Sequence, residues 1–306
     1  YNDTTNSLTT RIIFGKERHP QSSFNWRDLG QPVQEVEFDT LNFIKDHNLY
    51  PIPFDDKSVL PWFPGYVYEN GHNIYRGEDV GKGGYVYSEP GMYIDAALLD
   101  ITSMHPSSTI DEVLFGPVFT NRFREVKESR VYIKHEDYEK AKAVLEGKLA
   151  PYLKDGEYSP KDLANALKTG INSVYGLTSA SFDNAFRDVR NKNNIVALRG
   201  ALFMVDLKHA VQEKGFTVAH IKTDSIKIPN ATPEIIQFVI DFGKRYGYNF
   251  EHEATYKRMC LVNKSTYIAQ FATEEWCKAK YGYSPEENSK EGGEWTATGE
   301  QFAVPY

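Results

Sequence analysis

The chain has 306 residues, of which 41% are hydrophobic and 25% charged, which excludes a mostly disordered chain and predicts two domains, or one large domain with an insertion. A formal net charge of -7 argues at first sight against nucleic-acid binding. The acid lies at the ends: residues 1–100 carry 8 basic and 15 acidic side chains and residues 271–306 carry 3 and 7, while the 170 residues between carry 24 and 20.

The chain opens polar, with YNDTTNSLTT and no Met, so no signal peptide is expected and the sequence reads as a piece of something longer. A helix is expected over 39–47. From Tyr66 to Gly91 the glycines, Gly81, Gly83 and Gly84 among them, predict turns and short strands. MYIDAALLDI, 92–101, reads as a buried strand ending near Asp100. Residues 119–146 have a charged helical pattern, broken into two helices near Lys134 and His135. Ser159-Pro160-Lys161-Asp162 predicts a capping-box helix start with Pro at the first position. The helix that follows carries Leu163, Leu167, Ile171 and Val174 at spacings of three and four. A further helix runs from Arg199 to Lys214 and stops at Gly215. Residues 216–228 form a strand, a tight turn and a strand. Thr232-Pro233-Glu234 caps another helix, ending near Gly247, and strands follow over 249–256 and 259–270. The acidic, Gly-rich stretch 272–306 reads as a loop. No apolar run approaches about 18 residues, so no transmembrane helix is expected. Cys260 and Cys277 form no CxxC pair, against a disulfide framework or a cysteine-rich zinc site. The order of elements predicts an α+β fold, an antiparallel sheet with helices on one face, and the block 111–180 reads as an inserted helical subdomain.

Three carboxylates fall on predicted strands or a hairpin tip: Asp100, Asp224 in HIKTDSIKI, and Glu253 in NFEHEATY. Each alone is an ordinary turn or strand-end acid. If they converge, hard oxygen ligands at a sheet edge suit magnesium. On the helix beginning at Pro160, Lys168, Asn172 and Tyr175 share one face, with Gly176 beside it. A cation, an amide and a planar ring there suit a nucleotide, with a solvated polar face as the plainer reading. Arg130 and Lys134 stand four apart as a second cationic pair, or as plain solvated surface.

These residues join in one pattern. The chain resembles family B DNA polymerases of the compact bacteriophage kind over about residues 60–270. Asp100-Ile-Thr-Ser-Met-His-Pro-Ser107 looks like motif A, DxxSLYPS. Lys168-Thr-Gly-Ile-Asn-Ser-Val-Tyr-Gly176 matches motif B, KxxxNSxYG, at every fixed position. Lys222-Thr-Asp-Ser225 looks like motif C, DTDS. Phe250-Glu-His-Glu253 through Leu261-Val-Asn-Lys-Ser-Thr-Tyr267 is similar to the strand pair around the KKxY element.

The resemblance implies a palm sheet with an inserted fingers subdomain. Residues 1–91 would lead into the palm, 92–110 would hold its first catalytic strand, 111–180 the fingers and 181–270 the rest of the palm, with 271–306 a loop toward a missing thumb. It implies template-directed addition of dNTPs to the 3'-hydroxyl of a DNA primer-template, with Asp100 and Asp224 holding two Mg2+ ions and Glu253 accessory to them. Lys168, Arg130 and Lys134 would meet the triphosphate. Asn172, Tyr175, Ser103, Met104 and His105 would surround the nucleotide, and Gly176, Lys264 and Tyr267 would contact DNA. A monomer without membrane association, acting in phage replication in the cytoplasm of an infected bacterial cell, is the expected setting. The departures are Lys222 for the first Asp of motif C, His105 for the Tyr that rejects ribose, and Ser265 for a Lys of KKxY. No DxE-type exonuclease motif occurs in residues 1–95. A catalytically silent, polymerase-like DNA-binding protein is the competing reading. Another palm-type nucleotidyltransferase, such as a reverse transcriptase, fits less well because those lack the KxxxNSxYG helix.

Overall fold

The structure is a computed structural model and describes residues 5–17, 63–112, 114–153, 159–180, 182, 184–187 and 194–299. The helix expected over 39–47 lies outside the described residues. Those residues group into two compact units, one built from α1 (Thr5–Phe14) and residues 105–196, the other from residues 63–104 and 197–299.

The first unit is helical. After α1 come α2 (Met104–Asp111), α3 (Gly116–Lys134), α4 (Tyr138–Ala143) and α5 (Pro160–Thr178). The break expected near Lys134 and His135 falls there. Glu136 turns to φ +60°, and the Asp137 carboxylate accepts from the Lys140 amide to start α4. Ser159 stands at the N-cap of α5, but its side chain makes no cap hydrogen bond, contrary to the capping-box expectation. The box needs a Glu or Gln three residues on, and Asp162 is a methylene shorter, so Pro160 sets this start by its fixed φ. The apolar stripe Leu163, Leu167, Ile171 and Val174 is buried as its spacing predicts. Phe14, Phe115 and Phe186 form a core of edge-on rings with centroids 5.0–5.9 Å apart. Gly170 lets α1 approach α5, because a Cβ there would stand 2.1 Å from Thr9 Oγ1.

The second unit carries the sheets. β1 (Val67–Glu69), β2 (His72–Tyr75) and β3 (Glu78–Asp79) make a small antiparallel sheet from the Gly-rich segment. The main sheet holds β4 (Val86–Ser88), β5 (Gly91–Ile101), β6 (His220–Lys222), β7 (Ser225–Ile228), β8 (Phe250–Leu261), β9 (Tyr267–Phe271) and β10 (Trp295–Thr298). Its order is β10-β9-β8-β5-β7-β6-β4, antiparallel at every pairing. The mixture of helices with an antiparallel sheet is the α+β class expected.

Strand alternation sends Leu99, Ile101, Ile226 and Phe250 to one face. There α6 (Ile195–Glu213) and α7 (Pro233–Arg245) pack, Phe203 of α6 meeting Phe242, Tyr248 and Phe250 at ring distances of 5.8, 4.7 and 6.1 Å. Thr232 caps α7 as expected, its hydroxyl accepting from the Ile235 amide at 3.3 Å. The opposite face presents Leu98, Asp100, Ser225, Lys227, Ala254 and Tyr256.

Two expectations change. The strands expected over 249–256 and 259–270 divide differently: β8 runs unbroken to Leu261, and an irregularity between Tyr256 and Arg258 absorbs the lapse in alternation. Residues 272–299 are not a loop but α8 (Glu274–Tyr281), α9 (Glu286–Glu291) and β10. The signals for α8 are local: Thr273 caps the Trp276 amide, Glu274 and Glu275 open the helix, Lys278 and Lys280 close it, and Gly282 turns to φ +81°. The anchor of this stretch is long-range. Fully buried Asn288 accepts from the Thr255 amide at 2.7 Å and donates to the Thr255 and Ala272 carbonyls at 2.8 and 2.9 Å.

Candidate functional site

In the sheet unit, β5 carries Asp100 to a position opposite Ser225 of β7 and Glu251 of β8. The β5–β8 register slips between Leu98 and Leu99, which makes Glu253 the extra residue of a bulge. A bulge re-aims a side chain, and Glu253 joins Asp100 in lining a cleft of about 350 Å³. Asp224 follows at the β6–β7 tip, where Thr223 holds φ +55°. The Ile101 amide donates to the Asp224 carbonyl at 2.9 Å, tying this tip to the end of β5. Gly84 makes room for the tip: its φ is +152°, and a Cβ would stand 2.9 Å from Thr223 Oγ1.

The carboxylates act on one another. Asp100 is pushed up to about 7, by burial first and then by the negative charges of Asp224 and Glu253, against the pull of Lys227. Glu253 is raised by burial and by Glu287, again against Lys227. Among the described residues, no three Asp, Glu, His or Cys side chains stand together as a ready metal cage.

Lys227 and His220 share the cleft and were not expected there from the sequence. Lys227 is 4% exposed and His220 1%. Lys227 Nζ stands 3.2 Å from His220 Nδ1 and 4.8 Å from the centre of the Tyr267 ring. Burial, then the Lys227 charge, pushes His220 down to about 4, and burial lowers Lys227 as well. Lys227 was legible in principle, being two residues past Ser225 on one strand face. Glu287, from α9, has no local signal. Lys264 is exposed in the turn between β8 and β9. For Tyr267, burial works to raise the phenol, but Lys227 and hydrogen bonds from Thr298 and Tyr256 outweigh it, so its pKa falls. Lys222 is exposed at the cleft edge.

In the helical unit, Lys168 and Asn172 stand exposed on α5, as does Gly176 at its last turn. Tyr175 is half-buried, stacked on His105 at 4.2 Å and 12°, and its hydroxyl donates to Asn194 Oδ1. His105 and Tyr175, expected from the sequence beside one nucleotide, are therefore in contact with each other. On α3, Arg130 is half-buried and Lys134 exposed. Lys127, which sequence reasoning passed over, lies on the same helical face as both and donates to Ser107 Oγ at 2.8 Å. Ser103 holds φ +54° between β5 and α2. Met104 is 4% exposed, and its side chain fills the space that Gly200 leaves open on α6.

No family model matches the chain, and no curated protein matches it. Among solved structures, it is similar to the family B DNA polymerase from the hyperthermophilic archaeon Pyrobaculum calidifontis, at 17% identity and a TM-score of 0.43. That match covers 60% of this chain and 26% of that one, so the chain spans about a quarter of that polymerase's length. No described helix is long and apolar enough to cross a membrane.

Proposed function

We propose that the chain is the core of a template-directed DNA polymerase that adds dNTPs to a primer 3'-hydroxyl. The observation that carries this reading is the gathering of Asp100, Asp224 and Glu253, remote in sequence, at one end of one sheet. Asp100 and Asp224 are half-buried and Glu253 is exposed, and carboxylates that feel one another's charge in this way are costly unless a cation joins them. Two carboxylates suffice for magnesium, which keeps waters and substrate phosphates for its remaining positions, so the donor set fits that ion without a closed cage. Asp100 and Asp224 would hold it, and there it would supply activation of the hydroxyl and charge neutralisation on the triphosphate.

The other residues bind and orient. Lys168, with Arg130 and Lys134, would neutralise the triphosphate. Lys168 and Lys134 stand exposed and Arg130 half-buried, and a phosphate would offer each a charge-assisted hydrogen bond. Tyr175 offers an aromatic face already fixed by His105 and Asn194. Asn172 would read the nascent pair from the next turn of α5, and Gly176 leaves backbone open to DNA. Ser103 and Met104 act through the chain path between β5 and α2, while Lys264 and Tyr267 would contact the primer-template. The palm and fingers division and a role in phage replication belong to this reading, as do action as a monomer and a cytoplasmic setting in the host cell.

The silent DNA-binding protein remains a second reading, favoured by the two cations, Lys222 and Lys227, beside the carboxylates. Primer extension with magnesium, with dNTPs and rNTPs in parallel lanes, decides between them. Extension with dNTPs is expected. Primer-template binding without extension by either nucleotide would overturn the polymerase reading in favour of the second.

A further inference from the structure

Hydrogen-bond chemistry fixes the direction of a chain that leaves the acidic cleft. A lysine ammonium has donors only, so across the 3.2 Å contact Lys227 donates and His220 Nδ1 accepts. The neutral ring then carries its proton on Nε2, which donates to the Lys264 carbonyl at 2.8 Å. Both side chains are almost fully buried. The receiving carbonyl belongs to the turn 262–266, whose internal bonds join Val262 to Thr266 and Ser265 to the Asn263 side chain. Lys264 and Ser265 themselves stand exposed at its tip.

We propose that Lys227 and His220 are a positioning pair that ties the turn 262–266 to the floor of the acidic cleft, so that Lys264 is presented to the primer-template in fixed register with Asp100. This rests on the polymerase reading for the identity of the ligand, but the tie itself does not. Lys227 has a second hold in the pair: its ammonium lies over the Tyr267 ring, at the start of the strand that leaves the turn. Cleft and turn thereby share one cation. His220 is a positioning residue, since its ring nitrogens are both engaged by protein.

Two near-isosteric variants separate the two bonds. An Asn amide reaches about where Nδ1 lies, and a Gln amide about where Nε2 lies. His220→Asn therefore keeps a partner for Lys227 and cuts the tie to Lys264, while His220→Gln keeps the tie. In the full chain, the expected result for His220→Asn is a primer-template KM raised about fivefold, from one lost hydrogen bond. Its kcat and its dNTP KM are expected within twofold of the parent, and amide exchange at 262–266 faster. His220→Gln is expected to restore both primer KM and exchange. A general loss of structure would move dNTP KM and primer KM together and would not be rescued by Gln. Parent-like primer KM in His220→Asn, or faster exchange without a KM change, overturns the positioning role. If the parent chain extends no primer, the polymerase reading fails, and exchange at 262–266 still decides whether the tie exists: unchanged exchange in His220→Asn overturns it.

Discussion

The acidic cleft of the sheet unit and the motif-bearing face of α5 in the helical unit are built on opposite principles. In the cleft, Asp100 is half-buried and Lys227 buried, both are held by strand register, and burial and neighbouring charges shift the acidity of Asp100, Lys227 and Glu253. On α5, Lys168 and Asn172 stand in solvent, and only Tyr175 is fixed, by stacking and one hydrogen bond. On the proposed function, the mutual repulsion in the cleft is what a cation would relieve, and the exposed α5 face is what a bound phosphate would order. Groups of the first kind are optimised for chemistry at the expense of stability, and groups of the second kind for capture.

The largest expected effect is on Asp100. Asp100→Asn should lower extension on the order of a thousandfold, as loss of a group that stabilises transition-state charge does. It should leave Tm unchanged or raised, because it removes a buried charge repelled by Asp224 and Glu253. A clear fall in Tm, read by thermal denaturation, would make Asp100 a structural residue and erase the contrast. Next comes Asn288, which belongs to the same unit but has a purely structural task. Asn288→Leu strands the Thr255 amide and two carbonyls, so destabilisation of about 3 kcal/mol or more is expected from denaturant unfolding.

Lys168→Ala sharpens the other side of the comparison. A dNTP KM raised about tenfold is expected in steady-state kinetics, with stability within about 0.5 kcal/mol, because the side chain is exposed. The smallest effect on activity concerns Glu78, the half-buried partner of buried Lys208. Its carboxylate is bonded to Lys208 at 2.7 Å and to the Tyr85 hydroxyl at 2.8 Å, and these partners hold it below the usual carboxylate range against the opposing effect of burial. A depressed folded pKa contributes stability that is present above the unfolded value near 4.5 and is lost as pH falls through the folded value. Glu78→Gln should therefore flatten the acid side of the stability-against-pH curve, with little change in its shape above pH 6.

The sequence made the local parts of this molecule legible. Apolar spacing and Pro160 marked α5, Thr232 marked the start of α7, and the apolar run 92–101 marked β5, although its first half alternates with exposed Met92 and Ile94 rather than being buried throughout. The candidate carboxylates and the Lys168 face were legible only through spacing and resemblance, since each residue alone has an ordinary explanation. What stayed hidden depends on long-range register. The bulge that places Glu253 is a property of the β5–β8 pairing. Glu287 reaches the cleft only because Asn288 docks α9 on Thr255. The task of Lys227 depends on His220 across a hairpin. The helix caps in 273–282 were there to be read, but the acidic, Gly-rich composition of the stretch masked them.

The most direct test is primer extension by the parent chain and by Asp224→Asn, side by side over a magnesium titration, with Tm measured on the same samples. The account predicts magnesium-dependent extension by the parent and none by the variant, with the variant still melting in a cooperative transition. Extension by Asp224→Asn at a near-parental rate would contradict it, because the gathered carboxylates would then have no part in the chemistry.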